Sequence, residues 1–341
     1  MRIDLRSDTV TKPSPEMLEA MMVAKVGDDV YKEDETINLL EERIAKMFDK
    51  PHAMFFPSGT MANQTAIKLH TNPGDQVICD KYSHIYNYEG GGASFNSGVS
   101  CKLIDGSRGM FNAQDVIDAI NPPEFYHSPL SKLVEVENTT NKGGGACWDF
   151  KELENIKSIC NTHNLGYHLD GARLWNALVA KNETTEQYGK IFDTISVCLS
   201  KGLGCPIGSV LTGDEKFMKH ALRIRKMLGG GMRQGGFLAG AGLYALDHNI
   251  SRLSEDHKRA KELGAQLKML SIVKHVEPIE TNIVIFELND VKYSNAFISK
   301  LKSLNILISD MGQGKLRLVT HLDYTSEMHS KVLDTFTTLK F

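Results

Sequence analysis

The chain has 341 residues, of which 41% are hydrophobic, enough for a substantial core in one large domain plus a smaller one, or in two comparable domains. Its formal net charge of −3 and the lack of a long basic run argue against nucleic acid or an anionic membrane as a partner. No apolar stretch approaches the roughly 18 residues of a membrane span, and residues 1–8 alternate charged with apolar side chains, unlike a signal peptide.

The first predicted elements are a helix, a strand and a second helix. Residues 36–49 place Ile37, Leu40, Ile44 and Met47 at helical spacing. Residues 53–57 form a short apolar run that predicts a buried strand, and residues 58–60 turn it into a helix beginning near Met61. This order is typical of proteins in which strands and helices alternate along the chain.

The alternation continues through the middle of the chain. Short apolar segments predict strands at 77–79, 102–104, 133–136, 166–169 and 194–199, and helices are predicted at 113–120 and 150–162. Strands that alternate with helices form a largely parallel sheet with helices on both faces. Ligands of such sheets bind at the carboxyl ends of the strands, and Asp170 and Lys201 both follow a predicted strand.

A different pattern marks the C-terminal part. The glycines at 229–231 precede a helical run at roughly 237–270, which is followed by strands at 282–286 and 315–319 and a helix near 294–304. We therefore predict an N-terminal segment and large domain over 1–245 and a small α+β domain over 246–341. A long helix is expected to cross this boundary.

Asp170 and Lys201 are the most informative pair of residues. Asp170 opens the stretch Asp170-Gly171-Ala172-Arg173, and Lys201 lies in Ser200-Lys201-Gly202-Leu203. A lysine amine can hold the aldehyde of pyridoxal 5'-phosphate (PLP) as a Schiff base. A carboxylate can keep the pyridine nitrogen of PLP protonated, so that the ring accepts electrons. The pair predicts a PLP enzyme, although each residue alone is common.

The turn at Ser58-Gly59-Thr60 is a candidate phosphate site. Gly59 would let the backbone approach an anion, the following helix offers unpaired N–H groups, and the Thr60 hydroxyl adds a donor. A plain Ser/Thr helix cap explains the same residues and is favoured on these residues alone. No Walker-type pattern supports a nucleotide loop.

Five further residues are candidates for the site. His84 follows a strand and a turn, where an imidazole could stack on a ring or move protons, and His127 is a second candidate with a weaker signal. Arg173 could contact the phenolic oxygen of the cofactor, Arg233 lies in a glycine-rich loop where it could grip a phosphate, and Arg317 could bind an amino-acid carboxylate. A structural histidine or a surface ion pair remains the alternative for each.

The six cysteines indicate the compartment. They are scattered and contain no C-x-x-C pair, which predicts reduced, mostly buried thiols in a cytoplasmic protein. A structural zinc site has no spacing to support it, so no metal is expected.

Taken together, seven ordered motifs resemble the low-specificity L-threonine aldolases, PLP-dependent enzymes of the aspartate aminotransferase-like fold (fold type I). The resemblance covers nearly the whole chain and implies an α/β large domain with a mainly parallel sheet, plus a small C-terminal α+β domain. The motifs are residues 4–11 (DLRSDTVT), 27–31 (GDDVY), 58–60 (SGT), 170–173 (DGAR), 198–203 (CLSKGL), 226–234 (KMLGGGMRQ) and 317–321 (RLVTH).

The resemblance also assigns roles to individual residues. It implies that Lys201 carries PLP, that Asp170 binds the ring nitrogen, that His84 stacks on the ring and that Arg173 meets the phenolic oxygen. It further implies phosphate binding by the Ser58-Gly59-Thr60 turn, with Lys226 and Arg233 contributed by a neighbouring subunit. The residues that it places around the substrate are Ser7 and Arg317 at the carboxylate, Tyr31 from the neighbour, and Tyr88 and His127 near the substrate side chain.

One departure from the family pattern is visible. The family often has Glu-Asn-Thr-His-Asn where this chain has Glu137-Asn138-Thr139-Thr140-Asn141. The substitution leaves the cofactor residues intact and puts local polar contacts near the site in doubt.

The resemblance implies a cytoplasmic homo-oligomer, expected to be a tetramer with shared sites, that cleaves L-threonine or L-allo-threonine to glycine and acetaldehyde. The base could be His84, His127 or a water. A PLP-dependent β-eliminating lyase acting on another amino acid is the alternative enzyme, and an aminotransferase is less favoured. A non-catalytic PLP-binding protein is the alternative from another class.

Overall fold

The computed structural model describes residues 1–339 and contains a large sheet, a smaller sheet and a two-stranded pair. The strands are β1 (Ile3–Asp4), β2 (His52–Phe56), β3 (Gln76–Asp80), β4 (Ser100–Ile104), β5 (Ser131–Glu137), β6 (Gly166–Gly171), β7 (Thr194–Cys198), β8 (Ser209–Gly213), β9 (Val273–Val276), β10 (Ile283–Leu288), β11 (Ile306–Leu307), β12 (Ser309–Gly312) and β13 (Lys315–Val319).

Helices connect most of these strands. They are α1 (Pro15–Met22), α2 (Glu35–Met47), α3 (Gly59–His70), α4 (His84–Asn87), α5 (Gly92–Ser97), α6 (Ala113–Ala119), α7 (Phe150–Thr162), α8 (Leu174–Lys181), α9 (Thr185–Ile191), α10 (Glu215–Met227), α11 (Gly236–His248), α12 (Leu253–Leu267), α13 (Ser294–Ser303) and α14 (Ser326–Thr338). Short 3-10 turns cover Asp8–Val10, Asp29–Tyr31 and Val291–Tyr293. No helix within residues 1–339 has the length and apolar character needed to cross a membrane.

The large sheet has the order β2-β8-β7-β6-β5-β3-β4. Strands β3 to β7 pair in parallel, while β8 runs antiparallel to both β2 and β7. Strands β3 and β5 to β8 are almost entirely buried, as expected for a sheet covered by helices on both faces. The prediction of an α/β fold with a mainly parallel sheet is confirmed.

The C-terminal part contains the antiparallel sheet β12-β13-β10-β9. A separate apolar cluster lies there, with Leu263, Phe286, Phe297 and Leu318 among its buried members. Strand β1 pairs in parallel with β11, so the start of the chain lies against this C-terminal part. The division at residue 245 stays a prediction.

The predicted helical run at 237–270 is wrong in one respect, because two helices occupy it. α11 ends at His248, with Asn249 as its C-cap, and α12 begins at Leu253. The side chain of Asn249 donates to the carbonyl of Leu203 at 2.8 Å. This contact fixes the break against the loop that carries Lys201, which periodicity alone does not reveal.

Candidate active site

Asp170 lies at the carboxyl end of β6, and its side chain is buried. Its Oδ2 accepts a hydrogen bond from Asn63 Nδ2 at 2.8 Å, and its Oδ1 accepts one from the backbone N–H of Ala172 at 3.0 Å. Asn63 lies on α3, and its Oδ1 in turn accepts from the hydroxyl of Ser196 on β7 at 2.6 Å. These contacts hold the carboxylate in one orientation at the strand end.

His84 lies beside this carboxylate at the start of α4. Its Nδ1 is 3.0 Å from Glu89 Oε1, and its backbone N–H donates to Glu137 Oε2 at 2.9 Å. A ring nitrogen of His84 and one carboxylate oxygen each of Glu89 and Asp170 all lie within 4.8 Å of one another. The side chain of His84 remains 30% exposed while that of Glu89 is fully buried. The ring therefore has one edge fixed by the protein and the rest open to a ligand.

The charges around His84 favour its protonated form. Burial by itself would lower the pKa of His84, but the hydrogen bond to Glu89 and the negative charges of Asp170, Glu89 and Glu137 outweigh it and raise the pKa. When Nδ1 carries the proton donated to Glu89, Nε2 is an acceptor. The arrangement gives a histidine that takes up a proton readily at Nε2.

Lys201 follows β7, the neighbour of β6 in the sheet. Its carbonyl accepts hydrogen bonds from Gly204 N–H at 2.8 Å and Thr11 Oγ1 at 3.4 Å, which fix the backbone of the loop. Its side chain is half-buried, and its amine has no hydrogen-bond or ion-pair partner within residues 1–339. An unpaired amine on a fixed loop at the sheet edge is available to a ligand.

Arg173 forms a buried ion pair with Asp8 of the N-terminal segment. Its Nε and Nη2 donate to the two carboxylate oxygens of Asp8 at 2.8 and 2.7 Å. Burial would raise the pKa of Asp8, but Arg173 and then Lys201 lower it well below its usual range. Asp8 therefore stays ionised and holds Arg173 at the site.

The Ser58-Gly59-Thr60 turn opens α3. Ser58 caps the helix by accepting from the backbone N–H of Met61 at 3.2 Å, so the helix-cap interpretation is confirmed. A side chain at position 59 would meet Cys198 Sγ at 2.8 Å, so glycine allows the helix start to approach β7. The first-turn N–H groups of Gly59 and Thr60 have no intrahelical partner, so the same turn also offers donors for an anion.

Arg317 on β13 faces the same region from the C-terminal part. Its Nη1 donates to Asn141 Oδ1 at 2.9 Å and its Nη2 to the carbonyl of Arg6 at 3.1 Å. Its Nε is buried and has no hydrogen-bond partner among the residues that the structure describes, and burial together with the neighbouring Arg173 lowers the pKa of Arg317. A carboxylate bound here could accept a hydrogen bond from the Nε–H and would offset the unfavourable burial of the Arg317 charge. Ser7, the residue after Arg6, lies in the same segment.

These residues fit PLP. The start of α3 can take a phosphate, Asp170 can face a pyridine nitrogen, Lys201 can hold the aldehyde, and the open side of the His84 ring can lie against the cofactor. The fit rests on the oriented Asp170 carboxylate, the unpaired Lys201 amine and the close approach that Gly59 permits.

Three other predicted residues lie on an exposed surface. The side chain of Arg233 is 55% exposed and pairs with Asp28 at 3.0 Å, Tyr31 is 73% exposed, and Lys226 is exposed in the last turn of α10. Backbone contact between Asp29 N–H and the Arg233 carbonyl at 3.1 Å joins the segments of Tyr31 and Arg233. These residues form a group of their own.

Tyr88 and His127 have different surroundings. The Tyr88 ring lies 5.6 Å from that of His84, so the structure brings it to the site. His127 is exposed and lies in the loop before β5, where its ring is 4.0 Å from that of Tyr126. That loop enters the sheet at its amino edge, opposite the carboxyl ends that carry Asp170 and Lys201. Within one chain the structure therefore does not bring His127 to the other site residues.

Sequence reasoning missed the residues that orient the predicted ones. Most of them contact their targets across long stretches of chain. Asp8 lies in the motif at 4–11, and Glu137 and Asn141 lie in the stretch at 137–141, but these motifs do not show which side chains the residues orient. These residues are Asp8, Asn63, Glu89, Glu137 and Asn141.

Comparison with protein families and relatives gives a consistent result. The family profile described as "Beta-eliminating lyase" matches residues 4–290. The low specificity L-threonine aldolase of Escherichia coli K12 is 39% identical over 330 residues, covering 97% of each chain. The low-specificity L-threonine aldolase 1 of Arabidopsis thaliana is 39% identical over 336 residues, covering 96% of this chain and 93% of the relative.

Solved structures show the same fold. The Leishmania major threonine aldolase aligns with a TM-score of 0.85 at 23% identity and 98% coverage of both chains. The serine palmitoyltransferase of Sphingomonas wittichii aligns with a TM-score of 0.76 at 17% identity, covering 98% of this chain and 86% of that one. At these identities the structural likeness supports the fold alone.

Proposed function

This chain belongs to the low-specificity L-threonine aldolases of the beta-eliminating lyase family, and we propose that it uses PLP to cleave L-threonine or L-allo-threonine to glycine and acetaldehyde. The observation that carries this proposal is the meeting, at one sheet edge, of an oriented buried Asp170, a histidine within 4.8 Å of it and the unpaired amine of Lys201. When bound, PLP supplies the electron sink that accepts the electrons of the breaking Cα–Cβ bond.

The protein's part begins with the substrate carboxylate. Arg317 has a buried Nε–H that no group within residues 1–339 accepts from, and its guanidinium is already oriented by Asn141 and the Arg6 carbonyl. A guanidinium held in this way binds a carboxylate with a defined direction, and the Ser7 hydroxyl can add a donor. A fixed carboxylate determines which bond at Cα is aligned for cleavage.

The proton of the β-hydroxyl is assigned to His84. Glu89 occupies Nδ1, which leaves Nε2 as the ring nitrogen that can accept that proton. Glu89 is itself held by Asn63 Nδ2 at 2.9 Å and Gln64 Nε2 at 2.6 Å, so the histidine is oriented by a carboxylate that is fixed in turn. Of the candidate bases, His84 has the supporting geometry within its own chain.

Assembly and location are further parts of the proposal. We propose a homotetramer whose sites are shared, because Tyr31, Lys226 and Arg233 lie on an exposed surface and not beside Asp170. We also propose a cytoplasmic location, supported by the six unpaired cysteines, since thiols persist in a reducing compartment.

Product analysis tests the function. Purified protein loaded with PLP is incubated separately with L-threonine and L-allo-threonine, and glycine, acetaldehyde, ammonia and keto acid are measured, with Lys201→Ala as the matched control. Equimolar glycine and acetaldehyde are expected from the unmodified protein alone. Ammonia plus a keto acid would replace the aldolase by a β-eliminating lyase, and bound PLP with no turnover of either isomer would favour a non-catalytic binding protein.

A further inference from the structure

Two carboxylates lie on one face of β5, beneath the site. Glu135 and Glu137 are separated by one residue, so their side chains point to the same face of the sheet. Glu137 is paired in register with Asp170 and Glu135 with His168. Both glutamates are buried, so the sheet places three carboxyl groups side by side away from water.

Glu137 connects two segments of the site. Its Oε2 accepts from the backbone N–H of His84 at 2.9 Å, and its Oε1 accepts from the backbone N–H of Asn141 at 2.6 Å. Asn141 in turn accepts from Arg317 through its side chain. One carboxylate thus holds both the segment of the proposed base and the segment that orients the carboxylate-binding arginine.

Glu135, unlike Glu137, accepts no hydrogen bond from the described residues. Both of its carboxyl oxygens are buried without a hydrogen-bond partner in the described part of the chain, and an unpaired buried charge costs several kcal/mol. Burial and the charges of Asp170 and Glu137 raise the pKa of Glu135 well above its usual range. Glu135 is therefore the neutral acid of the two.

A small cavity adjoins the pair. It measures about 10 Å³ and is lined by Glu135, Glu137, Ser83 and Thr140 among others, close to the space that one water needs. Within residues 1–339, the Thr140 hydroxyl is buried without a hydrogen-bond partner. The cavity therefore has polar groups on its walls and room for one small polar molecule beside the neutral acid.

The groups that face Glu137 set its charge. Burial and then Asp170 raise the pKa of Glu137, while the N–H groups of Asn141 and His84 and the charge of His84 lower it, which leaves it at about 7. The charged and titratable groups around it are Glu135 on its own strand, Asp170 on β6, His84 and Glu89 from α4 and the turn after it, Arg173 before α8, and Asp80 and Lys142 at the cavity.

We propose that Glu137 is a positioning residue that, when ionised, holds His84 and Asn141 together and, when protonated, releases one of them, while Glu135 beside it stays neutral. An ionised carboxylate accepts from both backbone N–H groups, whereas a protonated one presents a hydroxyl hydrogen to one of two donors. The site is therefore assembled on the alkaline side of the Glu137 titration and loosened on the acid side. This inference rests on the proposed function only for the roles of His84 and Arg317.

A pH titration of backbone amide NMR resonances tests whether Glu137 links His84 and Asn141, and it does not depend on turnover. In PLP-loaded protein labelled with ¹⁵N at histidine and asparagine, the amide resonances of His84 and Asn141 should move with one common midpoint near pH 7. The resonances are assigned with His84→Gln and Asn141→Asp. Glu137→Gln should abolish the transition of the Asn141 amide and leave at the His84 amide only the titration of the His84 ring, while Glu135→Gln, which replaces one neutral group by another, should leave the common midpoint in place. Separate midpoints in the wild-type protein, or an Asn141 transition that survives in Glu137→Gln, would overturn the proposal, as would a large move of the midpoint in Glu135→Gln.

Kinetics supply the second readout. Glu137→Gln should lower kcat and raise the threonine KM, each by about tenfold, which corresponds to one charged hydrogen bond. It should also reduce the acid limb of the pH profile to the part that the titration of His84 itself contributes. Glu135→Gln should retain both constants and the pH profile. A purely structural role would reduce the active fraction and leave KM and the profile unchanged. If the protein does not cleave threonine, the amide titration still tests the role of Glu137. If Glu137→Gln does not fold, the presence or absence of a common midpoint in the wild-type protein is the test.

Discussion

The residues beside Asp170 and those around Arg233 contrast sharply. In the first group, Asp170, Asn63 and Glu89 are buried and hydrogen-bonded to one another or to His84. In the second, Arg233 and Tyr31 are largely exposed, and the guanidinium of Arg233 pairs with the partly exposed Asp28. Surface ion pairs of this kind contribute at most about 1 kcal/mol, so the Arg233 side chain is held less firmly by its described contacts than Asp170 is by its own.

The difference shows which part of the site a single chain can form. The residues beside Asp170 are positioned by contacts inside the fold, so substitutions there should lower turnover whatever the oligomeric state. The exposed group gains a defined role only from something brought against it, and we propose that this is a second copy of the chain. Variants on the two sides should therefore differ in size of effect and in whether another subunit can compensate.

Lys201→Ala should have the largest effect, with loss of nearly all turnover. The amine of Lys201 is unpaired at the sheet edge, while the loop backbone is fixed by Gly204 and Thr11, so the fold should persist. Borohydride reduction of the PLP-loaded protein followed by peptide mapping should place the cofactor on the peptide containing Lys201. Label on Lys226 or another lysine would refute the assignment, and circular dichroism provides the folding control.

Asp170→Asn should lower kcat by about 100- to 1,000-fold while PLP is retained. The amide keeps the shape of the side chain but lacks the charge that stabilises a protonated ring nitrogen, and one preorganised electrostatic contact is worth roughly that factor. Turnover and bound PLP are measured on the same sample. Near-normal turnover would mean that another group controls the ring nitrogen.

The sequence predicted the parts of the fold that depend on local pattern. The helix predicted at 36–49 is observed as α2 over 35–47. The strands predicted at 166–169 and 194–199 are observed as β6 (Gly166–Gly171), which includes Asp170, and β7 (Thr194–Cys198). Strand β8 was not predicted, because its five buried residues form no alternating pattern and its role depends on antiparallel pairing with both β2 and β7.

The candidate site also contains residues whose positions follow from local pattern and residues whose contacts depend on tertiary packing. Asp170, Lys201 and His84 each follow a predicted strand, and strand ends of a parallel sheet converge, so their sequence positions predict their proximity. Asp8 follows no predicted strand. Glu137 does follow the strand predicted at 133–136, but that position does not show which N–H groups it binds. Asp8 meets Arg173 across 165 positions and Glu137 meets His84 across 53, and such contacts are determined by tertiary packing alone.

Arg317→Ala should raise the threonine KM by about 10- to 100-fold with little effect on PLP retention. A charged hydrogen-bonded contact contributes roughly 1.5–3 kcal/mol, and Arg317 lies on β13, away from the turn proposed for the phosphate. Lys315→Ala on the same strand, where the side chain is partly exposed, is the matched control and should change neither quantity. An unchanged KM in Arg317→Ala, or loss of cofactor, would contradict the role.

The smallest signal, and the one that bears directly on the contrast between the two groups, comes from mixing two defective variants. Lys201→Ala and Arg233→Ala are each assayed alone to establish that both are severely impaired, and are then mixed under conditions of subunit exchange. If Arg233 serves the neighbour's site, one site of a mixed dimeric unit contains intact copies of both residues and the other contains neither.

Random pairing makes half of the dimeric units mixed, and each has one good site of two, so about a quarter of wild-type activity should return. Native mass spectrometry verifies that mixed species have formed. If Arg233 acts within its own chain, every site keeps one defect and mixing restores nothing. No recovery in verified mixtures would therefore mean that the exposed group belongs to its own chain's site, and that the contrast with the Asp170 group reflects exposure and not a shared assembly.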